Sequence, residues 1–135
     1  ITHVTFYSGF PTGVNAARVT AEVFEARGLP MGDERFPAAP YLDVLIDGLV
    51  YGETWTREQL SVRDRSLATI AVTLGNYQTD QLRVHLRRGL DNGLTTQEIA
   101  ELIAQVTLYS GFPSGVNASR VFVGVLQERG MPLPD

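Results

Sequence analysis

Tyr7-Ser8-Gly9-Phe10-Pro11-Thr12-Gly13-Val14-Asn15 is written again, with one substitution, as Tyr109-Ser110-Gly111-Phe112-Pro113-Ser114-Gly115-Val116-Asn117, 102 residues further on. Extended over residues 4–30 and 106–132, the two copies share 17 identities in 27 positions, among them Arg18/Arg120, Val23/Val125 and Gly28/Gly130. Both break an apolar run with a glycine and a proline two residues apart. Proline has no amide hydrogen and its ring collides with the preceding turn, so it ends one helix and is tolerated in the first turn of the next. Each copy therefore predicts a helix, a sharp break and a second helix closed by a glycine. Two copies are too few for a solenoid. A duplicated helical domain fits better: residues 1–36 as the closing element of a preceding repeat plus a linker, and residues 37–135 as a whole domain ending on the same element. The chain opens on Ile1 rather than Met, which is expected of a fragment or a processed product.

The intervening sequence is also helical in period. Leu42, Leu45, Ile46 and Leu49 mark one face of a helix over Tyr41–Tyr51, and Leu67, Ile70 and Leu74 one face of a helix over Leu60–Leu74. Thr79 is expected to cap a helix over Asp80–Asp91, stopped by Asn92-Gly93. Thr95-Thr96-Gln97-Glu98 has the spacing of a capping box, opening a helix with Ile99, Leu102, Ile103 and Val106 on one side. Gly28 to Pro40 is dense in glycine and proline and reads as a linker. No stretch alternates with a period of two, so the expected class is all-α, a helical bundle.

Several functions are disfavoured by composition. The net charge is −4, and Arg83, Arg87 and Arg88 form one small group without interleaved aromatics, so no nucleic-acid footprint is expected. No run approaches the roughly 20 apolar residues of a membrane span, and the cytoplasm is the default compartment. The chain has no cysteine and only two histidines, His3 and His85, with no HExxH spacing. No metal and no cofactor are expected, and no glycine-rich nucleotide motif is present.

Four motifs in order, Ser61-Val62-Arg63-Asp64-Arg65-Ser66-Leu67-Ala68-Thr69-Ile70-Ala71, Leu82-Arg83-Val84-His85-Leu86-Arg87-Arg88-Gly89-Leu90-Asp91-Asn92-Gly93-Leu94-Thr95, Glu98-Ile99-Ala100-Glu101 and Tyr109-Ser110-Gly111-Phe112-Pro113, resemble the carboxymuconolactone decarboxylase family of the alkylhydroperoxidase-like superfamily. The resemblance covers about Tyr41 to Arg129, and Ile1 to Pro30 resembles the end of a preceding copy, as in tandem members. It implies an all-helical fold assembled as a homo-oligomer, a trimer or hexamer, and a pocket near His85 for a small-molecule substrate. The founding activity is cofactor-free decarboxylation of a carboxylated muconolactone. The peroxidase branch carries a Cys-x-x-Cys pair seven and four residues before the equivalent histidine. Gln78 and Gln81 stand there in this chain, leaving peroxide chemistry without its nucleophile. Decarboxylase-like members often place another histidine just before Tyr-x-Gly-x-Pro, which the first copy keeps as His3 and the second replaces by Gln105.

Loss of CO2 leaves negative charge spreading toward a carbonyl, so the chemistry needs a cation or donor for that oxygen and an acid for the carbon. His85 is the candidate general acid/base. Arg65 is the candidate anion holder, with helix-surface pairing as its ordinary alternative. Glu101 can orient His85 or be a solvated helix residue. Tyr109 can donate a hydroxyl into a pocket or pack at a helix corner. Tyr51 and Trp55 are candidate pocket walls, and His3 and Gln105 candidate substrate contacts. The competing expectations are a non-catalytic oligomeric or ligand-binding member, and a biosynthetic cyclisation or isomerisation on the same scaffold.

Overall fold

The computed structural model describes residues 1–33 and 35–135. Among them helix is the only regular secondary structure, with no strand. Helices α1 (Thr2–Ser8) and α2 (Phe10–Ala26) are followed by α3 (Tyr41–Leu45), which runs on as a π-helix over Ile46–Glu53 and a 3-10 turn over Thr54–Thr56. Then come α4 (Val62–Gly75), α5 (Thr79–Asp91), α6 (Thr96–Ser110) and α7 (Phe112–Glu128). The chain divides into two compact units, Ile1–Arg57 and Glu58–Asp135. No described helix is long and apolar enough to cross a membrane.

Both copies of the repeat form the expected broken helix. Gly9 stands at φ 83°, ψ 155° and Gly111 at φ 91°, ψ 153°, a region open in practice only to glycine. Pro11 and Pro113 occupy the opening turns of α2 and α7. The sharp break folds each helix pair onto itself so closely that the helices touch through glycine. A Cβ on Gly13 would lie 2.0 Å from Thr5 Oγ1, and one on Gly115 would lie 1.9 Å from Thr107 Oγ1. Each threonine hydroxyl is in turn donated to a carbonyl four residues back, Thr5 to Ile1 at 3.1 Å and Thr107 to Ile103 at 2.6 Å.

In the first unit α2 buries Ala17 against Ala39, Leu42 and Ile46, with Phe10, Val14, Phe36 and Tyr51 packed around them. The apolar face expected over Tyr41–Tyr51 is only partly the one used: Leu42 and Ile46 are buried, but Leu49 is exposed and Tyr51 takes its place. The cause is the π-helix, whose hydrogen bonds reach five residues along and bring position 51, not 49, beneath 46. Gly52 permits this path, since a Cβ there would meet the Asp47 carbonyl oxygen at 2.6 Å. The segment read as a linker is tied to the same unit, for Arg35 donates to Asp43 and, at 2.8 Å, to Asp47.

In the second unit α4 and α7 each pack on both α5 and α6. Ile70, Leu86, Ile99, Val125 and Leu126 are fully buried between them, each contributing about 1.5–3 kcal/mol by leaving water. Ser61 caps α4 by accepting the Asp64 amide at 3.0 Å. The capping box at Thr95 forms in both directions, at 2.9 and 3.1 Å. Thr79, expected as a cap, is instead the first residue of α5. The chain reverses just before it at Tyr77, φ 57°, and the Gln78 amide returns to the Thr73 carbonyl at 3.0 Å, so Gln78 takes the cap position.

Candidate active site

Helix α5 buries Leu82, His85, Leu86 and Gly89. His85 is only 8% exposed, and burial pushes its imidazole below the ordinary value near 6.5, because a desolvated ring holds a proton poorly. At neutral pH the ring is therefore uncharged. Positions 78, 81, 85 and 88 follow one another at helical spacing, and all four of these polar residues, Gln78, Gln81, His85 and Arg88, are buried or half-buried. Burial also pushes the Arg88 guanidinium downward, with Asp91 acting in the opposite sense. Sequence reasoning treated Gln78 and Gln81 only as the absence of thiols. The available signal was their shared spacing with His85, which follows them by seven and four residues.

Helix α4 lies against this helix. Asn92 donates to Ser66 Oγ at 2.9 Å, and a Cβ on Gly89 would meet Ile70 Cδ1 at 2.8 Å. Arg65, next to Ser66 and half-buried with its Nε out of water, is thus level with the C-terminal end of α5. His85 lies seven residues before Asn92, about 10 Å along the α5 axis at 1.5 Å per residue. Arg65 and His85 are on packed neighbouring helices but at different heights.

Arg63 and Arg65 point to different sides of α4, since two residues turn a helix by about 200°. Arg63 faces α6, where it pairs with Glu98. The Glu98 carboxyl is held below the usual carboxylate range, first by the Thr95 amide, then by the Thr95 hydroxyl, with Arg63 adding to both. Beside this pair a cavity of about 430 Å³ opens between α4 and α6, floored by Leu67 and Leu102 and edged by Gln97, Glu101 and Gln105. The structure therefore brings Glu101 and Gln105 together, in a cleft that neither His85 nor Arg65 lines. Glu101 is exposed on α6 while His85 is buried on α5.

Tyr109 is 82% exposed at the corner between α6 and α7 and is not part of that cleft. His3, exposed on α1, and the pair Tyr51 and Trp55 belong to the first unit. The two rings stand 5.6 Å apart at 50°, within the range of a favourable tilted aromatic contact. Among the described residues no three histidine or acidic side chains converge as metal ligands.

Comparison with known proteins places this site in context. The model of the carboxymuconolactone decarboxylase family matches residues 40–123. A 4-carboxymuconolactone decarboxylase of Acinetobacter baylyi is 40% identical over 86 residues, 64% of this chain and 64% of that protein. A nitrosuccinic acid decarboxylase of Metarhizium robertsii is 34% identical over 74 residues, 55% of this chain and 52% of that protein. An uncharacterised 15.0 kDa protein of Paracoccus denitrificans is 38% identical over 80 residues, 58% and 60% of the two chains. The chain thus spans between 52% and 64% of the lengths of these relatives.

Proposed function

We propose that this chain, which belongs to the carboxymuconolactone decarboxylase family, is a cofactor-independent carboxy-lyase acting on a carboxylated lactone or a related cyclic acid. The observation that carries the reading is the buried, uncharged imidazole of His85 on a helix packed against the one bearing Arg65. Two relatives named as decarboxylases support the reaction class.

Arg65 holds a substrate anion through its guanidinium. The anionic substrate, arriving in a desolvated site, raises the proton affinity of the neighbouring imidazole, because an opposite charge favours the charged ring. His85 takes up a proton on substrate binding. The bond between the carboxylate and its carbon then breaks, CO2 leaves, and the electron pair remains on carbon, delocalised toward the adjacent carbonyl. The imidazolium returns its proton to that carbon, giving the decarboxylated product and a neutral ring ready for the next cycle. No electrons are gained or lost overall.

The test is CO2 release from 4-carboxymuconolactone by wild type, His85→Gln and Arg65→Ala. Wild type is expected to turn over, with His85→Gln lowering kcat by about a hundredfold or more, the usual loss on removing a general acid. Arg65→Ala is expected to raise KM at least as much as it lowers kcat. Because His85 must gain a proton, wild-type kcat/KM should decline as pH rises through neutrality. Equal turnover by folded His85→Gln would remove His85 from the reaction. No turnover by folded wild type would remove this substrate.

A further inference from the structure

The cleft between α4 and α6 stands apart from the site of the proposed reaction, since neither His85 nor Arg65 lines it and all of its lining belongs to the second unit. Its volume of about 430 Å³ is within the range of small-molecule sites, which are concave and mostly apolar with a few polar groups. Leu67 and Leu102, both half-buried, form the apolar floor. Gln97, Glu101 and Gln105 recur every four residues along α6, so they share one side of it, a carboxylate between two amides. The charges are unequal. Arg63 is the cation of the lining, and its guanidinium is already shared between Glu98 and, at 3.1 Å, Asp64. Among the described residues Glu101 has no ion-pair partner.

We propose that this cleft binds a small organic cation, a primary ammonium group on an apolar body, with the ammonium at Glu101 and the body over Leu67 and Leu102. An ammonium has only donors to offer. The Glu101 carboxylate and the amide oxygens of Gln97 and Gln105 are acceptors strung along one side of α6 to receive them. A hydrogen bond to a charged partner is stronger than one between neutral groups, which gives the carboxylate the leading part. An anion would meet Glu101 unopposed and a guanidinium engaged elsewhere, so the carboxylated acids proposed for the His85 site are poor occupants here. The chain has no lysine, and no ammonium side chain of its own competes for the place.

The test is a titration of the full chain with 2-phenylethylamine at neutral pH and low salt, followed by NMR of the backbone amides. Saturable shifts should appear at residues 63–67 and 97–105, with a Kd of about a millimolar or tighter, the scale for so small a ligand. Glu101→Gln keeps the size of an exposed side chain, so it should fold as wild type does and weaken binding by about tenfold. Gln105→Glu, at another exposed position, adds a carboxylate to the rim and should tighten binding by about threefold. 3-Phenylpropionate, a similar body with the opposite charge, should leave these residues unshifted. Absence of saturable shifts in folded wild type overturns the proposal. Equal binding of the amine by wild type and Glu101→Gln, or binding of 3-phenylpropionate at the same residues, would mean that the leucine floor alone holds the ligand, and overturns it equally.

Discussion

Gly13 and Gly115 are pressed against Thr5 and Thr107 to within a tenth of an ångström of the same distance, and Gly9 and Gly111 share one backbone conformation to within 8° in φ. Ten residues further along, the two copies diverge. Val125 is fully buried between α5 and α7, whereas its counterpart Val23 is 43% exposed. The Thr12 hydroxyl donates to the Ser8 carbonyl of its own helix pair, while Ser114 reaches across to the Leu74 carbonyl at the end of α4, at 2.8 Å. Glu128 and Arg129 tie α7 to Arg83, Arg87 and Asp91 of α5, and Ala26 stands where Glu128 does in the other copy. The lesson is a separation of scales: a glycine, a proline and a threonine at fixed spacing build the broken helix, and the neighbours decide which of its faces becomes core.

The largest expected contrast is between Val125→Asp and Val23→Asp. A carboxylate in the place of Val125 has neither water nor a partner, so the second unit should lose on the order of 4 kcal/mol or more. Val23→Asp should cost less than about 1 kcal/mol, since solvent reaches the position. Chemical denaturation of both variants decides it, and equal losses would mean that Val23 is as deeply packed as Val125.

Next in size are Gly13→Ala and Gly115→Ala. Each forces a methyl into a threonine side chain, and each should cost about 1–3 kcal/mol. Because the clash involves Thr107, adding Thr107→Ala should recover part of the Gly115→Ala loss, a coupling visible in a double-mutant cycle. Additive losses would show that the two helices do not meet at this point in solution.

A smaller contrast is set by pH. The folded state holds the His85 proton less tightly than the unfolded chain does, because burial lowers its pKa. The unfolded state therefore binds the proton first as pH falls. Stability should drop as pH passes downward through about 6.5 and level off once the folded ring is also protonated. His85→Gln should flatten that part of the curve. Thermal melts at pH 7.5 and 5.5 measure both. The smallest effect is expected from Val19→Ser, at an exposed position of α2, within about 0.5 kcal/mol of wild type.

What could be read in the residues was what neighbours in sequence impose on one another. The break at Gly-Phe-Pro, the capping box at Thr95 and the stop at Asn92-Gly93 all rest on contacts a few residues apart, and the structure forms each of them. The all-helical class and the family were legible for the same reason, since helical period and ordered motifs are written along the chain. Other features depended on contacts between segments far apart. The π-helix moved Tyr51 inward in place of Leu49, a change of register that no α-helical period anticipates. Arg63 faced Glu98 across a cleft, Arg65 faced elsewhere, and Gln78 and Gln81 joined His85 on one side of α5. Above all, two nearly identical helices received opposite fates at Phe10 and Phe112, because burial depends on what another segment brings to a surface. By itself the sequence determined where helices start, break and stop. Only the tertiary structure decided which of their faces are core, which line a cavity and which stay in water, because those outcomes depend on surfaces that the chain brings together only when folded.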